Sequence, residues 1–403
     1  MRVALVYRKF SLAGSLERDG LFLANALAAE GAEVHCYCDA ARSEIDERFT
    51  IHDIRPLVVG QGRLDAPLER ISFSARATRA LRRERSSYDL VHVIGPDAWE
   101  HDIVEVHEVV AAAQRHWPAA AGRDFRLARA RAALAPLTRP LVGFGRVVQS
   151  LQFRPGRFRR AIAVTEAVRR DLVETFGTPE ELIDVIPPPV DFEAFRSARP
   201  SGLRQRLGVP PDGHLLLFVG HAFERKGLVD AISMLVGLPE NAHLAVLGGG
   251  QAERYLARAR DLGVEARVHF IGATQMPQTV FAEADVLVLP TRYDLWGIPL
   301  IEAMASEIPA VTTSAAGAAE VAEAAGAAIV VPPRAPRELA AAVGALLADP
   351  ARRRRMAAAG PAAAVRFGRD AYARAVFATY DRALASPEAQ AADFLAARAE
   401  GVV

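Results

Sequence analysis

Short apolar runs recur along this chain, separated by amphipathic stretches, and that alternation limits the available folds more than any single residue. Val3 to Tyr7, Glu33 to Tyr37, Leu90 to Ile94 and Ala161 to Val164 form a first series. A second runs through Leu215 to Val219, Leu244 to Leu247, Val268 to Ile271, Val286 to Leu289 and Ile329 to Val331. Runs of this length with helical patterns between them read as βα units, and βα units build parallel sheets covered on both faces. The expected class is therefore α/β with two doubly wound, Rossmann-like domains. A chain of 403 residues also exceeds what one core usually organises.

Between the two series lies Ile186-Pro-Pro-Pro-Val-Asp-Phe-Glu-Ala-Phe195, which can continue neither a helix nor a central strand. It sets the expected domains at 1–190 and 191–365. The segment 366–403 is expected to supply closing helices, one over Arg369 to Leu384, that cross back to the first domain. The chain is 51% apolar and 24% charged with a net charge of +1, which excludes a disordered or broadly nucleic-acid-binding protein. Cys36 and Cys38 are too close in sequence for a relaxed disulfide and lack partners for a zinc site. No run approaches the roughly 18–20 apolar residues of a membrane span. A reduced, cytoplasmic chain is the expectation. The stretch 123–160 carries ten arginines against the single acid Asp124. It reads either as a solvated helix face or as a peripheral contact with the inner face of an anionic membrane.

The segments with chemical content lie where strands end. Val286-Leu-Val-Leu-Pro-Thr-Arg-Tyr-Asp294-Leu-Trp-Gly297-Ile-Pro-Leu-Ile-Glu302 reads as a buried strand, a loop with one carboxylate, and a helix whose first turn holds a second. A helix N-terminus at a strand's carboxyl end offers unpaired N–H groups to a pyrophosphate, and Gly297, Ile298, Pro299 and Leu300 form the expected donor-binding turn there. The carboxylates can accept hydrogen bonds from hydroxyls beside it. Gly220-His-Ala-Phe-Glu-Arg225-Lys226-Gly227 follows another buried strand and sets two adjacent cations on a glycine-bounded loop, suited to a diphosphate. In the first half, Tyr7-Arg-Lys-Phe-Ser-Leu-Ala-Gly14-Ser15 leads into a helix from Asp19 to Glu30, and its glycine permits close approach to a ligand. It matches neither a dinucleotide fingerprint nor a P-loop. His107, in Glu105-Val-His107-Glu108, sits at the end of a further strand, where an imidazole can bond a sugar hydroxyl or help deprotonate an acceptor. Glu105, Glu108 and Asp97 are the acceptor-side carboxylates. No Asp-x-Asp pair suggests a protein-held metal, so the cations are expected to stand in for one.

These motifs resemble those of the retaining glycosyltransferases of family four, which have the two-domain GT-B fold. Asp294-x7-Glu302 is similar to the family's E-x7-E motif, and the Gly220 to Lys226 loop, Ile186-Pro-Pro-Pro-Val-Asp191 and the Gly14 loop support it. Arg8-Lys9-Phe10 and His107-Glu108 are loosely similar to lipopolysaccharide-core glucosyltransferases. The resemblance implies two domains facing a central cleft and no cofactor beyond the nucleoside-diphosphate sugar itself. Transfer of a hexose to a glycan, lipid-linked or small-molecule hydroxyl is implied, by front-face attack with retention. Glu302 would hold ribose, Asp294 the donor sugar, Arg225 and Lys226 the diphosphate, and His107 a donor-sugar or acceptor contact. Asp294 is one methylene shorter than the family's glutamate, Ser15 replaces a second glycine, and Glu307-Ile-Pro309 replaces Cys-Gly-x-Pro. A nucleotide-sugar epimerase and a catalytically silent nucleotide-sugar-binding subunit are the alternative readings.

Overall fold

The computed structural model describes residues 1–11, 15–40, 43–46, 48–57, 65–113, 140–154 and 156–385. The chain divides into two compact units, Met1–Pro187 with Tyr372–Val403, and Pro188–Ala371. Each is built around one parallel sheet.

In the first unit the strands are β1 (Arg2–Val6), β2 (Glu33–Cys38), β3 (Thr50–Asp53), β4 (Leu90–Ile94), β5 (Ile103–Val106), β6 (Arg160–Ala163) and β7 (Ile183–Val185). Their spatial order is β3-β2-β1-β4-β5-β6-β7, with every ladder parallel. The order reverses between β1 and β4. Alternate residues of the strands feed opposite faces, and both faces are covered, which is why the strands read as continuous apolar runs. Val3, Leu5, Leu90 and Ile103 pack against Leu23 and Leu27 of the helix Ser15–Ala29 and against Tyr372, Val376 and Tyr380 of the helix Arg369–Leu384. Ala4, Val6, Val91 and Val93 meet Phe73, Ala77 and Leu81 of the helix Asp65–Glu84.

The second unit contains β8 (His214–Val219), β9 (Ala242–Leu247), β10 (Val268–Gly272), β11 (Val286–Leu289), β12 (Ala310–Thr313) and β13 (Ala328–Val331) in the order β10-β9-β8-β11-β12-β13. All of its ladders are parallel too. The reversal falls between β8 and β11. Leu215, Leu217, Leu287 and Leu289 pack under the helix Ile298–Ala305, while Leu216, Phe218, Val286 and Val288 pack under the helices Leu228–Met234 and Pro336–Ala348. Fully burying each such leucine or valine contributes about 1.5–3 kcal/mol.

The helix Arg369–Leu384 forms over the residues its amphipathic pattern predicts, and from Tyr372 onward it belongs to the first unit. The Tyr380 hydroxyl lies 2.8 Å from Nδ1 of His92 on β4, both side chains fully buried. Burial pushes the His92 imidazole down to about 4, so it is neutral at pH 7 and its lone pairs and proton need partners. Tyr380→Phe strands one of them. The expected loss is about 1–2 kcal/mol in a urea melt, and an unaltered midpoint would mean that the bond adds nothing to docking the helix.

Candidate functional site

In an open parallel sheet, ligands bind beyond the carboxyl ends of the strands where the order reverses. In the second unit that place lies between β8 and β11, and the loops after these two strands are tied together. The Arg292 N–H donates to the Arg225 carbonyl at 2.8 Å, the Thr291 hydroxyl donates to the same carbonyl at 3.2 Å, and the Arg225 guanidinium returns a bond to the Tyr293 carbonyl at 2.8 Å. Gly227 makes the contact feasible. It has φ +77°, and a Cβ there would lie 2.0 Å from the Pro290 carbonyl oxygen. Gly220 ends β8, its N–H held by the Leu247 carbonyl at 2.9 Å.

This arrangement brings together three predicted residues. Lys226 Nζ donates to Asp294 Oδ2, and Arg225 Nη1 lies 3.6 Å from Oδ1. The Lys226 and Asp294 side chains are only 10% and 11% exposed, and Arg225 is 30% exposed. Burial raises the Asp294 carboxyl, but the two cations outweigh it and hold the group below the ordinary aspartate range. The loop is fixed from behind as well: Asp294 N–H donates to the Ala315 carbonyl (3.0 Å), and Gly317 and Ala318 N–H groups donate to the carbonyls of Asp294 (2.9 Å) and Trp296 (2.7 Å).

Gly297, at φ +92°, turns the chain into the helix Ile298–Ala305. No side chain caps this helix: the Ile298 N–H has no intrahelical acceptor, Pro299 carries no N–H, and the fully buried Leu300 donates its N–H to the Gly297 carbonyl at 2.8 Å. Glu302 falls in the second turn, because the cap residue is Gly297 and 3.6 residues complete the first. It differs here from the sequence expectation by one turn. Its side chain is enclosed, at 6% exposure, and already has a polar partner. Arg292, bonded to Asp230 at 3.1 and 3.3 Å, also lies on this rim and carries no motif that a sequence reading could use.

In the first unit the reversal lies between β1 and β4. Gly14 falls outside the described residues, and Ser15 is the first residue of its helix. Arg8 and Lys9 line a cavity of about 430 Å³ together with Glu17 and Asp39. Asp97 is fully buried beneath that loop, accepting from the Arg8 N–H at 2.8 Å and lying 3.4 Å from Arg70 Nε. Its carboxylate therefore braces the loop rather than lining open space. Glu105 is also buried, with His107 Nε2 3.0 Å from Oε1 and the Tyr372 hydroxyl donating to Oε2 at 2.9 Å. The His107 side chain retains 19% exposure. Glu108 is exposed and already has a polar contact.

Two family models match this chain: one described as glycosyl transferases group 1 over residues 202–363, and one as glycosyltransferase family 4 over residues 21–194. A D-inositol 3-phosphate glycosyltransferase from Xylanimonas cellulosilytica is 32% identical over 336 residues, 76% of each chain. The chain belongs to the family 4 glycosyltransferases. A lipopolysaccharide glucosyltransferase, WaaG from Escherichia coli, is 30% identical to this glycosyltransferase over 190 residues, 45% of this chain and 51% of that one. The crystal structure of a WaaG superposes with a TM-score of 0.74 at 23% identity, covering 90% of this chain and 95% of its own. The Anabaena protein HepE in complex with UDP-glucose gives 0.70 at 18% identity, with 94% and 99% covered. The fold is GT-B. Among the described residues no His, Cys, Asp or Glu group is placed to hold a metal ion, and no helix is long and apolar enough to cross a membrane.

Removing the carboxylate from the Lys226 and Arg225 contact leaves two largely enclosed cations facing each other. Asp294→Asn is expected to destabilise the ligand-free glycosyltransferase by about 3 kcal/mol and to make inorganic pyrophosphate more stabilising than it is for the wild type. Equal pyrophosphate shifts in the two proteins would show that Asp294 does not compete for the cations.

Proposed function

We propose that this glycosyltransferase moves a hexose from a nucleoside-diphosphate sugar to a hydroxyl of a glycan, lipid-linked or small-molecule acceptor, with retention of anomeric configuration and without a metal. The observation that carries the reading is the Arg225, Lys226 and Asp294 cluster beside the uncapped start of the Ile298–Ala305 helix. Two cations and a helix N-terminus at a switch point suit a pyrophosphate, whose charge grows as the bond to the sugar breaks. In this reading the diphosphate displaces Asp294 from its cations, and the freed carboxylate accepts a hydroxyl of the donor sugar. Glu302 holds the ribose. The departing phosphate oxygen takes the acceptor's proton as the new C–O bond forms on the same face, so that no enzymic nucleophile is needed. HepE, whose crystal structures hold UDP and UDP-glucose, and the inositol-phosphate and lipopolysaccharide transferases among the relatives support a nucleotide-sugar donor and a polyhydroxylated acceptor.

A thermal-shift screen of UDP, GDP, ADP and TDP and their common sugars tests the donor. A nucleotide at a hundred times its dissociation constant should add about 2.7 kcal/mol, and Glu302→Gln should lose most of that gain. Stabilisation that survives in the variant would remove Glu302 from ribose binding; no stabilisation by any nucleotide would sink the donor reading.

The cytoplasmic setting and the membrane contact belong to the same proposal. Of the arginine-rich stretch 123–160, residues 123–139 lie outside the described part, and the helix Pro140–Gln152 presents Arg146 and Val147 to solvent. Binding to vesicles containing phosphatidylserine is expected at 20 mM salt and to fade by about 0.5 M, as screening shortens the reach of each charge. Sedimentation that leaves the protein in the supernatant at both salt levels would end the membrane reading.

A further inference from the structure

Glu105 is a fully enclosed carboxylate at the carboxyl end of β5, and nothing in the proposed donor chemistry uses it. Its surroundings are specific. Oε2 receives the Tyr372 hydroxyl at 2.9 Å from the helix Arg369–Leu384, Oε1 lies 3.0 Å from His107 Nε2, and His92 Nε2 on β4 stays 3.7 Å away, too far for a hydrogen bond. His92 is engaged at its other nitrogen by Tyr380. Asp19, in the helix Ser15–Ala29, also bears on Tyr372. Burial works against an ionised Glu105, but the contacts from His107, His92 and Tyr372 outweigh it and hold its carboxyl below the ordinary glutamate range. At neutral pH it is thus a pure acceptor.

An ionised carboxylate offers no proton, so the atom facing it must supply one. His107 Nε2 lies 3.0 Å from Oε1, off the line of a hydrogen bond, and has no hydrogen-bond partner among the described residues, so a small turn of the ring is all that the bond requires. We propose that Glu105 and Tyr372 are positioning residues that hold the proton of His107 on Nε2, leaving Nδ1 as a lone-pair acceptor for a carbohydrate hydroxyl. The nature of that hydroxyl rests on the transferase reading above; the tautomer does not. A histidine free in solution exchanges its proton between the two nitrogens, and a ring so divided presents an acceptor only part of the time. The carboxylate removes that ambiguity. Tyr372 in turn stops Glu105 from rotating and shares its negative charge, so the last helix of the chain sets the state of an imidazole that lies far from it in sequence.

The test is ¹⁵N NMR of histidine-labelled full-length protein, with His107 assigned by comparison with His107→Gln among the ten histidines. The wild type should show His107 protonated at Nε2 and bare at Nδ1 on the alkaline side of its titration. Glu105→Gln, which removes the charged acceptor, should mix the tautomers of the neutral ring. Tyr372→Phe, a milder change that keeps the carboxylate but frees it to rotate, should mix them to a smaller extent. A purely structural role for Glu105 and Tyr372 would lower stability without altering the tautomer ratio. An Nδ1-protonated wild type, or a tautomer ratio unmoved in Glu105→Gln, overturns the proposal. Failure of the donor reading is seen separately, as absence of nucleotide stabilisation in a protein whose His107 tautomer is intact.

Discussion

The contact between the loops after β8 and β11 is the constraint on which the second unit's site depends. Gly227 brings one loop onto the Pro290 carbonyl, and only then do Arg225 and Lys226 reach Asp294. A side chain at Gly227 would need to occupy the space of a backbone oxygen. The cations are thus positioned by backbone geometry at a strand reversal and do not depend on the conformations of long side chains alone. Such a pre-set arrangement reduces the ordering cost of binding an anion.

The first unit repeats the arrangement with different chemistry. At its own reversal a carboxylate again spans two loops: Asp97, after β4, accepts from the Arg8 backbone after β1. Here the carboxylate is fully buried and bonds a main-chain N–H, so its displacement by a ligand would leave that group unsatisfied. Asp294 bonds only side-chain cations through its carboxylate, and a phosphate can replace it on both of them. Two carboxylates in equivalent topological positions therefore differ in how readily a ligand could take their place, because of what each accepts from.

The sequence revealed most of the strands, both edges of the second sheet among them, and the local motifs, but not the edges of the first sheet, β12 or the long-range partners. β3, with Thr50-Ile-His-Asp53 mostly exposed, and β7, three residues long, are edge strands with a single neighbour, so they need no continuous apolar run. β12 lies inside its sheet, yet Ala310-Val-Thr-Thr313 is short and half threonine; the Thr312 and Thr313 hydroxyls are buried by bonding the carbonyls of Leu289 and Thr291. Arg225, Lys226, Asp294 and Glu302 were legible because each stands in a short segment with a strand before it. Tyr372 was not, since 267 positions separate it from Glu105, and an amphipathic pattern identifies a helix without saying which buried group its tyrosines will meet.

That last pairing also explains why this chain places tyrosine, instead of a simple hydrophobe, at two buried positions of the helix Arg369–Leu384. Phenylalanine would fill the same volume at 372 and 380 and pack as well against Leu5, Leu90 and Ile103. Each hydroxyl must lose its water, a penalty of about 1–3 kcal/mol unless it finds a partner. Both do find one, and both partners lie on adjacent strands: Glu105 on β5 and His92 on β4. The helix is thereby held in one register by two polar contacts whose geometry a slip along the sheet would break, whereas apolar contacts alone would tolerate it. Burial supplies the stability of the docking, and the hydroxyls supply its uniqueness.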